Sequence, residues 1–194
     1  MRIVVMNHIT LDGVMQGPGR VDEDTRDGFD QGGWATPRSD DVVGEVMGER
    51  MAAGGGLAGW LFGRRTYEDL LRHWNSVPDN PFAERLNNAR KYVASTTLRE
   101  PLPWPNSTLL GADPVQAVAQ LREEPGGVLG IMGSGVLIQA LRRDRLIDEY
   151  LLMVHPVVLG SGRRLFPDGP PTELTLVGVR GSSTGVVLAA YEAL

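Results

Sequence analysis

The sequence predicts an α/β fold with a mainly parallel central sheet and an antiparallel hairpin at the C-terminus. Three observations support this prediction. Apolar runs typical of buried strands alternate with helical patterns over residues 1–154, and this alternation favours parallel strands joined by crossover helices. Glycine-rich or hydroxyl-rich turns follow several of these strands. Two late apolar segments, residues 174–179 and 185–191, flank a short turn, which is the pattern of a hairpin.

Each element has a local reason in the sequence. The unbroken apolar run at residues 3–6 is typical of a strand that is covered on both faces. Asp113 and Pro114 supply an N-cap and a first-turn proline for a helix. Strands are predicted at residues 1–7, 60–62, 91–95, 108–110, 128–132, 147–154, 174–179 and 185–191. Helices are predicted from residues 42 and 114 onward and at residues 66–74, 82–89 and 134–142.

The apolar face of the 134–142 helix is predicted from its periodicity. Its inward residues are expected to be Val136, Leu137, Ala140 and Leu141.

Length and composition favour one ordinary globular domain over residues 1–194. Hydrophobic residues make up 42% and charged residues 22% of the chain, values that are common in such proteins. The net charge of −5 argues against nucleic acid as a partner, because phosphate backbones require a basic face. The sequence shows no cleavable leader pattern and no apolar stretch of membrane-span length, so a cytoplasmic protein is expected.

Metal and thiol chemistry are not expected. The chain contains no cysteine, which excludes disulfides and thiolate ligands. His8, His73 and His155 are far apart and form no metal-binding spacing.

The segment GWLFGRRTYEDLLRHW, residues 59–74, predicts an anion site. An apolar strand ends at Gly63, and Arg64, Arg65 and Thr66 open the following helix. The free N–H groups and the positive dipole end of a helix N-terminus favour a phosphate at such a junction. A strand-to-helix turn with two solvated arginines is the alternative interpretation.

Two further segments repeat this arrangement. In VLGIMGSGVLIQAL, residues 128–141, the turn Gly133-Ser134-Gly135 lies between a buried strand and a helix; helix packing is the alternative. In KYVASTTL, residues 91–98, Ser95 and Thr96 place hydroxyls after a strand, although such residues also form plain turns. All three segments follow strand ends, the edge at which open α/β sheets bind ligands. Together they predict a long ligand with several phosphates.

These segments, in their order along the chain, resemble the dihydrofolate reductase-like superfamily. The elements TLDG (10–13), GRRTYE (63–68), ST (95–96) and GSGVL (133–137) carry the resemblance. LIDEY (146–150) and HPVVLGSGRRLF (155–166) are similar to the branch that contains the C-terminal reductase domain of bacterial riboflavin biosynthesis. The resemblance implies a three-layer fold with helices on both faces of the sheet. It also implies NADPH as the cofactor.

The resemblance assigns the cofactor-binding residues. Gly63, Arg65 and Thr66 would hold the diphosphate together with the Gly133, Ser134, Gly135, Val136 and Leu137 segment. Arg64, Ser95 and Thr96 would face the 2′-phosphate of the adenosine ribose. A guanidinium suits a phosphate dianion, so NADPH is expected in preference to NADH.

The resemblance also indicates candidate substrate residues. The loop NHITLDGVMQG, residues 7–17, is similar to the segment that closes over the nicotinamide ring, and Asp12 is the candidate proton donor or substrate orienter. A turn aspartate before Gly13 is the alternative. Trp34 is a candidate to stack on a planar substrate, and Arg163 a candidate to contact a substrate phosphate; a core aromatic and an exposed loop charge are the alternatives.

The predicted function is an NADPH-dependent reduction of a small planar heterocycle, pteridine-like or ribosylaminopyrimidine-like. The alternatives are an NADP-binding sensor or non-catalytic module, and a reductase of an unrelated carbonyl or quinone substrate. A homodimer that pairs through the C-terminal part of the sheet is expected. Nucleic-acid and membrane partners are not expected.

Overall fold

The computed structural model describes residues 1–111, 113–169 and 171–194. It confirms the α/β fold: eight strands in these residues form a mostly parallel sheet whose C-terminal strands are antiparallel. The strands are β1 (Arg2–Thr10), β2 (Leu57–Gly63), β3 (Lys91–Ala94), β4 (Ser107–Leu110), β5 (Val128–Ile131), β6 (Glu149–His155), β7 (Leu174–Gly181) and β8 (Val187–Ala193). The helices are α1 (Asp41–Ala53), α2 (Arg64–Ser76), α3 (Pro81–Asn88), α4 (Pro114–Glu123) and α5 (Gly135–Arg143).

The chain forms two compact units. The first comprises Met1–Ile3 and Met51–Leu146, and the second comprises Val4–Arg50 and Ile147–Leu194. In the first unit the strands lie in the order β4-β3-β2-β5 and all pair in parallel. In the second unit β1 pairs with β6 in parallel, and β8 lies antiparallel between β6 and β7.

The core of the first unit explains why its strands are uniformly apolar. All four residues of β5 are buried, as are Leu61 and Phe62 of β2. Helix α2 buries Tyr67 and Leu71 against this layer. Strands covered on both faces need no polar alternation, which is why the apolar runs identified them correctly.

A buried lysine completes the end of α3. Lys91 is 1% exposed, and its Nζ donates hydrogen bonds to the carbonyls of Leu86, Asn87 and Ala89 at 2.7–3.1 Å. These contacts satisfy carbonyls that the helix C-terminus leaves unpaired. Lys91 therefore joins the start of β3 to the end of the helix before it.

The second unit has its own apolar cluster beside the loop that follows β1. Val14, Phe29, Trp34 and Ala35 are buried there, with Val157 and Leu159 packed against them. Turns at Arg26–Gly28 and Thr36–Arg38 shape this long segment. The glycine-rich sequence of residues 13–33 therefore folds as an ordered part of the unit.

One sequence prediction of packing needs correction. Val136 is 75% exposed, whereas Leu137, Ile138 and Leu141 are buried in α5. The prediction is confirmed for Leu137 and Leu141 and wrong for Val136, which lies at one margin of the apolar arc of α5, where periodicity does not fix whether a side chain meets the sheet. The apolar strand β7 is largely exposed, with Leu176 at 53% and Val179 at 62%.

The helices offer no candidate membrane span. Within the described ranges, none combines the length and the apolar character that crossing a bilayer requires.

Candidate active site

Three predicted site segments lie at one edge of the sheet in the first unit. The parallel register pairs Gly63 at the end of β2 with Ala94 at the end of β3. Arg64 and Ser95, the next residues in each chain segment, therefore emerge side by side. Strand β5 is the other neighbour of β2. The turn that follows β5 carries Gly133 and Ser134 to the same edge.

Ser134 joins the N-termini of α2 and α5. Its Oγ accepts a hydrogen bond from the Gly63 N–H at 2.8 Å, and its own N–H donates to Thr66 Oγ1 at 3.0 Å. Gly133 has φ +59, and a Cβ there would lie 2.9 Å from Thr66 Oγ1. The close approach and the left-handed backbone both require glycine.

The two helices at this edge differ from their neighbours in capping. The side chains of Asn80 and Asp113 accept hydrogen bonds from first-turn N–H groups of α3 and α4. Helices α2 and α5 begin after Gly63 and Ser134, and no side chain in the described residues caps either of them. Two helix N-termini, with their positive dipole ends and uncapped N–H groups, thus lie together. This is the arrangement that binds phosphate.

The candidate basic residues flank these N-termini. Arg64 Nη1 lies 2.9 Å from Glu68 Oε2 in a partly exposed ion pair one helical turn apart. Arg65 is exposed. Because partly exposed pairs of this kind contribute little free energy, an anion with two charges can compete with Glu68 for Arg64.

The loop after β3 is shaped by its own hydroxyl. Ser95 Oγ accepts hydrogen bonds from the N–H groups of Thr97 at 3.1 Å and Leu98 at 3.0 Å. Thr96 is exposed beside it. The structure thus places Ser95 and Thr96 at the edge where the sequence predicted them.

Asp12 lies in the second unit, in the loop after β1. Its carboxylate accepts hydrogen bonds from the Thr10 hydroxyl at 2.6 Å, the Leu159 N–H at 3.2 Å and the Gly160 N–H at 2.8 Å. The Thr10 hydrogen bond, with the two backbone N–H groups, lowers the pKa of Asp12 from its ordinary 3.8. Asp12 is therefore ionised near neutral pH and ties its loop to the segment after β6.

Trp34 and Arg163 lie in the same unit. Trp34 is 6% exposed, and its Nε1 donates to the Gln16 carbonyl at 2.8 Å. Its ring meets the ring of His155 edge-on at a centroid distance of 5.2 Å. Arg163 forms an exposed ion pair with Asp27 at 2.8 Å. Neither pattern was visible in the sequence, because each joins segments remote along the chain.

A pair of histidines is the feature that sequence reasoning missed. His8 Nδ1 lies 2.8 Å from His155 Nε2 although the residues are 147 positions apart. Burial, with the charge that His155 can carry, lowers the pKa of His8 from 6.5 to about 4. Burial and the charge of Arg38 lower the pKa of His155 to about 4. The two histidines meet only because β1 pairs with β6, and no local sequence pattern predicts that contact.

Acidic and histidine side chains do not form a metal site in the described part of the chain. No group of three or more of them converges on a position that could hold an ion.

Comparison with known proteins identifies a family that the chain matches. A family model described as the RibD C-terminal domain matches residues 2–188. Two uncharacterized Bacillus subtilis (strain 168) proteins are similar in sequence. YyaP is 32% identical over 138 residues, which cover 68% of this chain and 71% of YyaP. YwjB is 37% identical over 71 residues, which cover 36% of this chain and 41% of YwjB.

Two solved structures share the fold. A candidate riboflavin biosynthesis protein from Shewanella sp. PV-4 matches with a TM-score of 0.68 at 20% identity, covering 100% of this chain and 99% of that one. A pyrimidine reductase-like protein from Corynebacterium diphtheriae matches with a TM-score of 0.62 at 10% identity, covering 100% of this chain and 92% of that one.

Proposed function

The chain belongs to the RibD C-terminal domain family, and from that premise we propose that it is an NADPH-dependent reductase of a small planar heterocycle. The observation that carries this proposal is the uncapped pair of helix N-termini, α2 and α5, which Ser134 holds together. Such a pair suits a ligand with a diphosphate group. The residues present therefore fit the cofactor that the family resemblance implies.

The proposed cofactor contacts come from three strand ends. Gly63, Arg65 and Thr66 at the start of α2 and Gly133 to Leu137 at the start of α5 hold the diphosphate. Arg64, Ser95 and Thr96 hold the 2′-phosphate. Leu137 is buried, so we assign it a packing role that holds α5 in position beneath the Gly133–Gly135 turn. The backbone of the residues before Leu137 then contacts the diphosphate. When the cofactor binds, Arg64 gives up its ion pair with Glu68 and contacts the 2′-phosphate instead.

The reduction itself uses the chemistry of the cofactor and the positioning of the protein. Bound NADPH supplies a hydride to a C=N or C=O carbon of the substrate. We assign Asp12 the orienting role, because a carboxylate that accepts three hydrogen bonds and has a lowered pKa holds its loop in place and carries no proton to donate. The proton then comes from water. Arg163 is proposed to exchange Asp27 for a substrate phosphate.

The first test of this function is cofactor preference. We expect NADPH to bind roughly 10- to 100-fold more tightly than NADH, because a charge-assisted contact to the 2′-phosphate contributes about 1.5–3 kcal/mol. Arg64→Ala should remove most of this difference, while Glu68→Gln should tighten NADPH binding by freeing Arg64. Calorimetric titration of both cofactors into each protein measures the effect.

A matched control isolates the phosphate contact. Arg72→Ala changes another arginine of α2, beyond its first turns, and should leave both affinities at wild-type values. Equal affinity of the wild type for NADPH and NADH would reject the assignment of Arg64, Ser95 and Thr96.

We also propose that the protein is a homodimer that pairs through β7. This strand is the edge of the sheet in the second unit, and it exposes Leu176 and Val179 by 53% and 62%. Natural proteins usually cover an apolar edge strand.

Sedimentation should give about twice the chain mass of 21.1 kDa, and Val179→Lys should give the monomer. Val21→Lys, at a site 71% exposed on a loop, is the control; a wild-type monomer at every concentration would refute the proposal.

A further inference from the structure

Two imidazoles link β1 to β6 in the second unit. His8 Nδ1 and His155 Nε2 are 2.8 Å apart, and the ring centroids are 5.1 Å apart. The parallel register pairs His8 with Met153 and Thr10 with His155, so both rings project from the same face of the sheet. One hydrogen lies between the two nitrogens, and one ring must donate it to the other.

The two rings differ in their access to a ligand. His155 is 1% exposed and lies against the edge of Trp34 as well as against His8. His8 is only partly buried. The last turn of helix α1 reaches the same face at the start of β6, where Arg50 Nη1 lies 3.8 Å from Glu149 Oε1. His8 is thus the member of the pair that a molecule bound at this face can contact.

The hydrogen between the rings is assigned to His155 Nε2. His155 Nδ1 is buried and has no hydrogen-bond partner among the described residues. A hydrogen on this atom would be a buried unpaired donor, which proteins avoid more strictly than an unpaired acceptor. With the hydrogen on His155 Nε2, His8 Nδ1 is the acceptor. His8 then carries its own hydrogen on Nε2.

Burial is the main reason that both rings of the pair are neutral. It lowers the pKa of each imidazole to about 4, aided by the charge of His155 at His8 and by the charge of Arg38 at His155. A neutral imidazole with one fixed N–H is a hydrogen-bond donor of defined direction.

We propose that His8 recognises the substrate of the reductase by donating a hydrogen bond from Nε2 to a carbonyl oxygen or ring nitrogen of the heterocycle. His155 is the positioning residue that fixes the tautomer of His8. Trp34 contributes indirectly, by packing against the ring of His155. The proposal rests on the proposed function, because it assigns a residue of the substrate site of that same reductase.

The test compares His8→Gln with His8→Leu in the NADPH-loaded protein. The probes are dihydrofolate and 5-amino-6-(5-phosphoribosylamino)uracil, and their reduction is followed by NADPH absorbance. The amide of glutamine can replace the Nε2–H donor, whereas leucine cannot. We expect His8→Leu to raise KM roughly 10-fold, the loss of one neutral hydrogen bond, and His8→Gln to stay within about threefold of the wild type. NADPH affinity should not change in either variant.

Nitrogen NMR tests the positioning role directly and needs no substrate. In the wild type, the ¹⁵N chemical shifts should show that His8 is protonated at Nε2 and unprotonated at Nδ1. His155→Gln keeps a donor to His8 and should preserve this tautomer, whereas His155→Leu should give a mixture. The shifts of His73, which lies in the first unit, should be constant throughout and serve as the control.

Each failure has its own signature. A His8 hydrogen on Nδ1 in the wild type, or an unchanged KM in His8→Leu, overturns the proposal while leaving the reductase assignment intact. Absence of turnover by the wild type with both probes overturns the proposed function and the assignment of His8 with it.

Discussion

Gly133→Val should weaken NADPH binding by at least about 100-fold. Gly133 has φ +59, and a Cβ there would lie 2.9 Å from Thr66 Oγ1 and 3.0 Å from Thr66 Cγ2. Valine must therefore displace Thr66, which breaks the hydrogen bond from the Ser134 N–H. The N-termini of α2 and α5 then separate, and a diphosphate loses donors from both helices. Calorimetric titration with NADPH measures the loss.

Two companion variants show that the geometry of this turn is responsible. Gly111→Val places the same side chain in the same unit at a position with open space around the Cβ, and it should bind NADPH like the wild type. Thr66→Val keeps the shape but removes the acceptor for Ser134, and we expect a loss of roughly 10-fold. Wild-type affinity in Gly133→Val would remove this turn from the cofactor site.

Asp12→Asn should lower kcat roughly 100-fold and leave NADPH affinity unchanged, because a loop displaced by about 1 Å can cost this much in rate. Thr10, Leu159 and Gly160 all donate hydrogen bonds to the carboxylate. An amide turns its NH₂ group toward at least one of these donors, so the loop must shift. Turnover of the two probe substrates by each protein gives the comparison.

The control for this change is Asp22→Asn. Asp22 lies in the same unit with a side chain 88% exposed, so its loss should not alter kcat. The pKa of Asp12 lies below 3.8, so its charge is present above that pH and is lost only as the pH falls through the lowered pKa. Turnover above about pH 5 should therefore show no titration of Asp12. A wild-type kcat in Asp12→Asn would leave Asp12 as a turn residue.

The sequence by itself determined the strand–helix order and the edge at which the candidate cofactor site lies. Parallel strands end at the same edge, so the turns after Gly63, Ala94 and Ile131 could be grouped from local patterns alone. The hairpin of β7 and β8 was equally readable, because two neighbouring apolar segments need only a short turn to pair.

Only the tertiary structure decided which remote side chains meet. His8 reaches His155, and Asp12 reaches Leu159 and Gly160, because β1 lies beside β6. Likewise, the packing of α5 against the sheet, and not its own periodicity, left Val136 in solvent. Local propensity carries no information about strand order or helix rotation, since both depend on how the whole core packs. The candidate cofactor site could therefore be predicted from the sequence. The contacts proposed to recognise the substrate could be identified only from the tertiary structure.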